Sequence, residues 1–445
     1  MDNQTILADK AMTRAVKRLV PFLTLMYVLS FLDRSNIGFA KNFLQTDVGI
    51  SPQAFAMGAG LFFFGYSVFE VPSNIIMHYV GARRWMARIM ITWGLAAAAF
   101  AWVTSDTMFL ILRVLLGIAE AGFFPGVVVF MTYWFTKERR AKINGLFYFS
   151  VPGAFIIGGP LSGWLIEHMD GVWNHAGWQW MFAVEGILAA IVGVVAIFYL
   201  TDKPSKAKWM PDDEKEALQA VLEKEYGSNP PVHGNPLKVL GHPKVLYLSL
   251  TYFWFNWCFY GVNFYMPTQI AAFMKSEVNF MVGMVSTIPW LISCVAIWIL
   301  TCSSDRSGRC GSLVGCSLLM AAFGIALSSV SNPILGILGL GLGAGGILAA
   351  MPVFWTIPPR FLSGLSLASA VALINSIGVL GGWCAPIARQ WFTDHFGPAW
   401  GLYVLAVPGV FAAIMVFGTI GMGIGSRVTT RQQLMAEAAK KASAA

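Results

Sequence analysis

The sequence predicts an all-α membrane protein with twelve transmembrane helices in two pseudo-symmetric six-helix bundles. Three observations carry this: composition, the recurrence of apolar windows, and the sorting of positive charge. Of 445 residues, 57% are hydrophobic and 12% charged, and the mean hydropathy is +0.64. Soluble domains carry about 25% charged residues, so a chain this apolar belongs in a bilayer. The polar start Met1–Lys10 precedes an apolar run too long for a signal peptide and without a small-residue cleavage site. The first helix is therefore expected to remain as an anchor.

Windows of about 20 apolar residues place helices near 19–40, 54–77, 84–104, 107–130, 142–166, 178–200, 243–268, 279–301, 311–331, 333–356, 363–390 and 398–424. The longest polar stretch, 201–242, contains the acidic-basic run Asp212-Asp-Glu-Lys-Glu216 and reads as a linker with one amphipathic helix. Residues 1–200 then form an N-terminal bundle. Residues 243–445 form a C-terminal bundle with a short cytoplasmic tail.

With both termini cytoplasmic, 25 of the 30 Lys and Arg fall on inside segments, as the positive-inside rule requires. Lys41, Lys275 and Arg389 lie outside; Arg34 and Arg113 lie within the membrane. The net charge of +8 thus reports topology, and no nucleic-acid partner is needed to explain it. The six cysteines match neither a disulfide framework nor CxxC metal spacing, and read as small hydrophobes in helix packing. The six histidines lie in loops or at helix ends, with no two at metal spacing on one helix. No nucleophile-base pair, metal cluster or phosphate loop supports an enzyme. No cofactor is expected, only protons as coupling ion, and the protein is expected to act as a monomer.

The halves echo one another. Tyr79-Val-Gly-Ala-Arg83-Arg84 follows helix 2, and Asp305-Arg306-Ser-Gly-Arg309 follows helix 8. Gly158-Gly-Pro-Leu-Ser-Gly163 on helix 5 answers Gly378-Val-Leu-Gly-Gly-Trp-Cys-Ala-Pro386 on helix 11. Carriers built from internal repeats show such correspondences.

On these features the chain resembles the major facilitator superfamily. Further strings make it similar to the anion:cation symporter branch: Phe31-Leu-Asp-Arg-Ser-Asn-Ile-Gly-Phe-Ala40, Glu70-Val-Pro-Ser-Asn74, Gly81-Ala-Arg-Arg-Trp85, Arg113 seven residues before Glu120-Ala-Gly-Phe-Phe-Pro-Gly126, Gly177-Trp-Gln-Trp-Met-Phe with Glu185-Gly186, and Val353-Phe-Trp-Thr-Ile-Pro358. The resemblance implies proton-driven import of a sugar acid or hydroxycarboxylate, such as rhamnonate, galactonate or tartrate, across the inner membrane.

The charges inside apolar helices are the candidate site. A charge near the bilayer centre costs at least ~3 kcal/mol, so Asp33, Arg34, Arg113 and Glu120 mark a polar pathway. At about 1.5 Å per residue, Asp33 and Arg113 each lie roughly 9 Å below the outer membrane edge. Glu120 follows about two turns deeper on the face of Arg113, and Arg34 points about 100° away from Asp33. A carboxylate in a low-dielectric site changes proton affinity when an arginine approaches or leaves. Asp33 and Glu120 are therefore expected to take the coupled protons. Arg34 and Arg113 are expected to act as their partners and to sense the substrate carboxylate. Two static ion pairs locking helices 1 and 4 would be the plainer reading.

The pocket is expected at the midplane between the halves. The resemblance adds Tyr66, Trp355 and Asn375 as substrate contacts. Glu70 shares a helix face with Tyr66 at i,i+4, as a third titratable group or an arginine partner. Glu185 reads as a structural hydrogen-bond acceptor. Asp305, Arg306 and Arg309 are expected to form a cytoplasmic gating latch. In the first half, His78 stands where the family has aspartate. Phe31, Pro152 and Gly153 also depart from the family's polar contacts. An efflux antiporter for a small metabolite or drug is the alternative, since the helix-5 glycines partly resemble the antiporter pattern.

Overall fold

The structure, a computed structural model, describes residues 3–136, 139, 143, 147, 149–227, 241–362 and 364–426. Those residues form helices and their connections, with no strand among them. In chain order the helices are α1 (Asn3–Thr46), α2 (Pro52–Val80), α3 (Ala82–Ala98), α4 (Asp106–Glu120), α5 (Phe123–Thr132), α6 (Ser150–His168), α7 (Gly177–Tyr199) and α8 (Asp212–Gly227). They continue with α9 (Pro243–Asn263), α10 (Met266–Met274), α11 (Phe280–Val285), α12 (Thr287–Ser307), α13 (Cys310–Leu327), α14 (Pro333–Phe354), α15 (Gly364–Phe396) and α16 (Pro398–Gly421).

Ten helical stretches among the described residues are long and apolar enough to cross a membrane. The windows placed at 142–166 and 243–268 are helical at most described positions, with a turn at Phe264–Tyr265 in the second. Polar, glycine and proline positions dilute them: Pro152, Gly153, Pro160 and Glu167 in α6, and Lys244, Asn256 and Asn263 in α9. Much of 142–149, the linker stretch 228–240 and the basic tail from Arg427 lie outside the described residues.

The elements differ from expectation in two ways that bear on the site. The first helix begins at Asn3 rather than near residue 19. Its added turns carry Lys10, Arg14 and Lys17 exposed on one side and Ala8, Ala11 and Ala15 buried on the other. Glu214 of α8 accepts from Arg14 Nε at 2.9 Å, which ties the linker helix to α1. The fourth helix is broken. α4 stops at Glu120 and α5 resumes at Phe123, with Gly122 at φ +86°. This left-handed conformation is cheap only for glycine. The carbonyl freed at Ala121 accepts from Ser73 Oγ at 2.7 Å, so the break is satisfied from α2, as backbone polar groups at membrane depth require.

The chain divides into two compact units, Met1–His233 with Lys275–Thr287, and Gly234–Met274 with Ile288–Ala445. The first unit therefore takes a short piece, including α11, from the region the sequence assigned to the second bundle. Within it, α3 packs on α7, α2 on α4, and α1 on α6 and α7. The α3–α7 contact is backbone to backbone. A Cβ at Gly94 would fall 2.5 Å from the Gly186 carbonyl oxygen, a distance no real side chain tolerates. This pair brings the helix carrying Trp93 against the helix carrying Glu185. In the second unit α9 packs on α15 and α16, and α13 on α14 and α16.

Candidate functional site

The site in the first unit is built around consecutive residues of α1. Arg34 is 8% exposed and Glu120 1%, and they form a buried ion pair. Arg34 donates from Nε to Glu120 Oε1 at 2.8 Å and from Nη2 to the same oxygen at 2.5 Å. Ser30, one turn earlier on α1, adds a third donor to that oxygen at 2.8 Å. The guanidinium is also walled by aromatic rings, with Phe31, Phe62 and Tyr66 at 5.1, 5.4 and 5.3 Å. Charge-assisted bonds and cation–π contacts together offset the desolvation of a buried arginine. Glu120 ends α4 at the helix break, the geometry by which broken helices present groups to a bound ion or substrate.

Depth arithmetic set Asp33 opposite Arg113, and the structure does not pair them: no such bridge is among the described ion pairs. Arg113, 2% exposed, donates from Nε to the Gly58 carbonyl at 2.9 Å and from Nη2 to that of Ala59 at 3.3 Å. The reason is lateral. α4 packs on α2, so its arginine meets α2 carbonyls before it can cross to α1. Equal depth is a necessary condition for contact, not a sufficient one.

Asp33 looks elsewhere. Its Oδ2 accepts from Trp93 Nε1 at 2.8 Å, and its Oδ1, fully buried, has no hydrogen-bond partner among the described residues. Adjacent residues of one helix thus differ sharply: Arg34 is saturated with partners, and Asp33 is a buried carboxyl with one neutral donor and no cation. Tyr66 is buried beside Arg34, and the buried Glu70 lies in its electrostatic field. Glu70's backbone carbonyl accepts from Asn74 Nδ2 at 2.8 Å.

The second-unit candidates sit in an aromatic cluster. Trp355 caps α14 and meets Tyr252 of α9 at 5.0 Å, and Tyr252 stacks on Phe354 at 5.5 Å. Asn375 lies on α15, three residues before Gly378, which packs against Tyr252. Asp305, Arg306 and Arg309 appear in none of the described ion pairs. Arg360 makes the stronger contacts nearby. It donates to the Ser426 carbonyl at 2.8 Å and contacts Cys310 Sγ, so it straps the end of the described chain to α13. In the first unit, Asp202 accepts from the Arg83 backbone N–H at 2.9 Å and caps the start of α3.

Sequence reading missed Ser30, Trp93, Asp202 and Arg360 as partners, because nothing in spacing tells which helix faces which. It also placed Arg389 as a loose outer charge. The structure stacks it on Tyr265 at 3.8 Å and lets it donate to the Gly261 carbonyl at 3.2 Å.

A polytopic helical membrane protein with buried, partnered charge and a helix broken at the acid is a carrier by architecture. The chain belongs to the Major Facilitator Superfamily, whose profile matches residues 23–363. It is 40% identical over 414 residues to the inner membrane transport protein RhmT of Escherichia coli, covering 93% of this chain and 96% of that one. It is 40% identical over 412 residues to a putative tartrate transporter of Agrobacterium vitis, covering 92% and 94%. A quinolone resistance transporter of Acinetobacter baumannii is 38% identical over 415 residues, covering 92% and 95%. Among solved structures, the xylose transporter XylE from E. coli superposes with a TM-score of 0.74 at 15% identity, over 92% of this chain and 98% of that one. The protein is a multi-pass membrane transporter and not an enzyme.

Proposed function

We propose that this transporter imports an organic anion, a sugar acid or hydroxycarboxylate such as rhamnonate, galactonate or tartrate, together with protons by alternating access. The observation that carries this reading is the contrast on α1. Arg34 is a buried cation paired with the acid Glu120, while Asp33 is a buried acid that pairs with no cation among the described residues. A substrate carboxylate that takes Arg34 releases Glu120, and the freed acid, now unpaired in a low-dielectric site, takes a proton. Asp33 takes its proton without any such exchange. Tyr66 supplies a hydroxyl near Arg34 for a polyhydroxy chain, and Trp355 and Asn375 are the second-unit contacts. The name of the tartrate relative supports an organic-acid substrate, and RhmT's name supports the inner membrane. The positive-inside charge pattern supports cytoplasmic termini.

The test is uptake into proteoliposomes across a panel of aldonates, tartrate and aromatic acids, with and without an imposed inward proton gradient. Gradient-dependent accumulation of one acid is the expected result. Equal accumulation without a gradient would sink the symport reading.

Efflux of a small molecule is the second reading, favoured by the quinolone-resistance relative. The helix-5 glycines that suggested it serve packing here: Gly159 and Gly163 lie against the backbone of Gly283 and Asn279 within the first unit. Quinolone extrusion from everted vesicles, without uptake of any acid in the panel, would support efflux instead.

A further inference from the structure

A second acidic pocket lies on the Asp33 side of α1, where Asp33 stands between Glu185 on one side and the field of Glu120 on the other. Glu185 on α7 is 0% exposed. Its Oε1 accepts from Ser162 Oγ of α6 at 2.7 Å, and its Oε2 is buried without a hydrogen-bond partner. Asn36, one turn after Asp33 on α1 and 1% exposed, lies beside this carboxyl, yet its Nδ2 completes no hydrogen bond. Asp33 Oδ1 is the third unpartnered atom here. Three orphaned polar atoms in one place are unusual, since buried polar groups are nearly always satisfied.

The groups facing Glu185 can be taken element by element. From α1 come Asp33 and Asn36, from α6 Ser162, and from α3 the neutral Trp93. The arginines of α3, Arg83, Arg84 and Arg88, lie about 9 Å or more along the helix from the level where Gly94 meets Gly186. Asp33 is thus the charged neighbour, and it is an acid. Two carboxylates cannot both stay ionised in a dry site without a cation. Their protons belong to the pair, with macroscopic steps that neither residue owns alone. Asn36 suits both states, because its Oδ1 accepts from a carboxyl O–H and its Nδ2 donates to a carboxylate.

We propose that Glu185 is a proton-binding residue of the carrier, sharing protons with Asp33 across the Asn36–Ser162 pocket. This deepens the symport reading and rests on it. It separates two tasks within the first unit: Arg34 and Glu120 exchange partners with the anion, and Asp33 and Glu185 hold protons where no cation interferes.

The experiment is proton-gradient-driven accumulation in proteoliposomes across a pH series, for the parent, Glu185→Gln and Ser162→Ala, with substrate binding read by thermal shift. Glutamine still accepts from Ser162 but cannot titrate. The expected result for Glu185→Gln is retained substrate binding with accumulation reduced at least tenfold. Ser162→Ala removes one hydrogen bond and leaves the acid, so it is expected to bind substrate and to move the pH midpoint of accumulation. If Glu185 only ties α7 to α6, Glu185→Gln concentrates substrate like the parent and Ser162→Ala leaves the midpoint in place; either result overturns the proposal. If Glu185→Gln does not fold, the Ser162→Ala midpoint decides. A sodium gradient that drives the parent but not Glu185→Gln would assign the pocket to sodium and overturn the proton role. A parent that shows no gradient dependence fails the underlying symport reading instead.

Discussion

Asp33 and Arg34 are neighbours in sequence, both buried, and treated in opposite ways by the fold. Arg34 reaches Glu120 of α4, an acid that Ser30 of α1 also bonds, and is walled by Phe31 of α1 and by Phe62 and Tyr66 of α2. Asp33 faces α3 and α7, where it accepts from Trp93 and meets another acid, Glu185. The difference shows how one helix can serve two ligands. A step of about 100° per residue turns one side chain to a compensated pocket and the next to an uncompensated one. On the proposed reading, the compensated site trades partners and the uncompensated one takes a proton.

The sharpest way to break this contrast is to unbalance the compensated side. Arg34→Met leaves Glu120 buried without its cation, and losing one partner of a buried pair costs about 3–5 kcal/mol. A large drop in thermal stability in detergent is expected near neutral pH, along with loss of any substrate-induced shift; full substrate protection in this variant would remove Arg34 from the binding site. Asp33→Asn acts on the other side. The amide keeps the shape and the bond from Trp93, so stability changes little, but gradient-driven accumulation is expected to fall at least tenfold. Wild-type accumulation by Asp33→Asn would end its role in coupling.

Smaller changes sharpen the comparison. Gly122→Ala puts a Cβ on a positive-φ residue and against Ser73, at a cost of about 1–2 kcal/mol, seen as a lower melting temperature. No change would mean that α4 and α5 tolerate a continuous helix. Ser30→Ala removes one of three donors to Glu120 and is expected to cost about 1 kcal/mol, far less than Arg34→Met in the same melting assay. The smallest effect lies outside the membrane. Asp212 is held below the usual carboxylate range by its hydrogen bond and ion pair with Lys215. A depressed folded-state pKa gives stability that is present above the unfolded value and lost as pH falls through the folded one. The pair is exposed and salt-screened. Asp212→Asn is therefore expected to speed hydrogen exchange in α8 slightly at neutral pH, with the difference from the parent shrinking as the pH falls below the usual carboxylate range.

The legible part of this protein is what one-dimensional physics controls. Hydropathy and charge sorting exposed the helical membrane architecture, because apolar length and the cost of charge in lipid act locally along the chain. The same cost flagged Asp33, Arg34, Arg113 and Glu120, and the spacing of Arg113 and Glu120 put them on one helix face. Lateral packing was not legible. Which arginine meets Glu120 depends on α4 resting against α2, and the break at Gly122 depends on Ser73 catching a freed carbonyl. The latch pattern Asp305-Arg306-x-Gly-Arg309 promised charge pairing, while the strap formed at Arg360, because the carbonyls near Ser426 come from a distant part of the chain.

The sequence by itself determined that this is a polytopic helical membrane protein with costly charges inside it, since burial in lipid penalises each charge whatever its neighbours. Only the tertiary structure decided which charges are compensated. Compensation needs two groups from different helices within hydrogen-bond reach, and helix neighbours are set by packing over the whole first unit. That packing gave Arg34 its acid and left Asp33 and Glu185 without a cation.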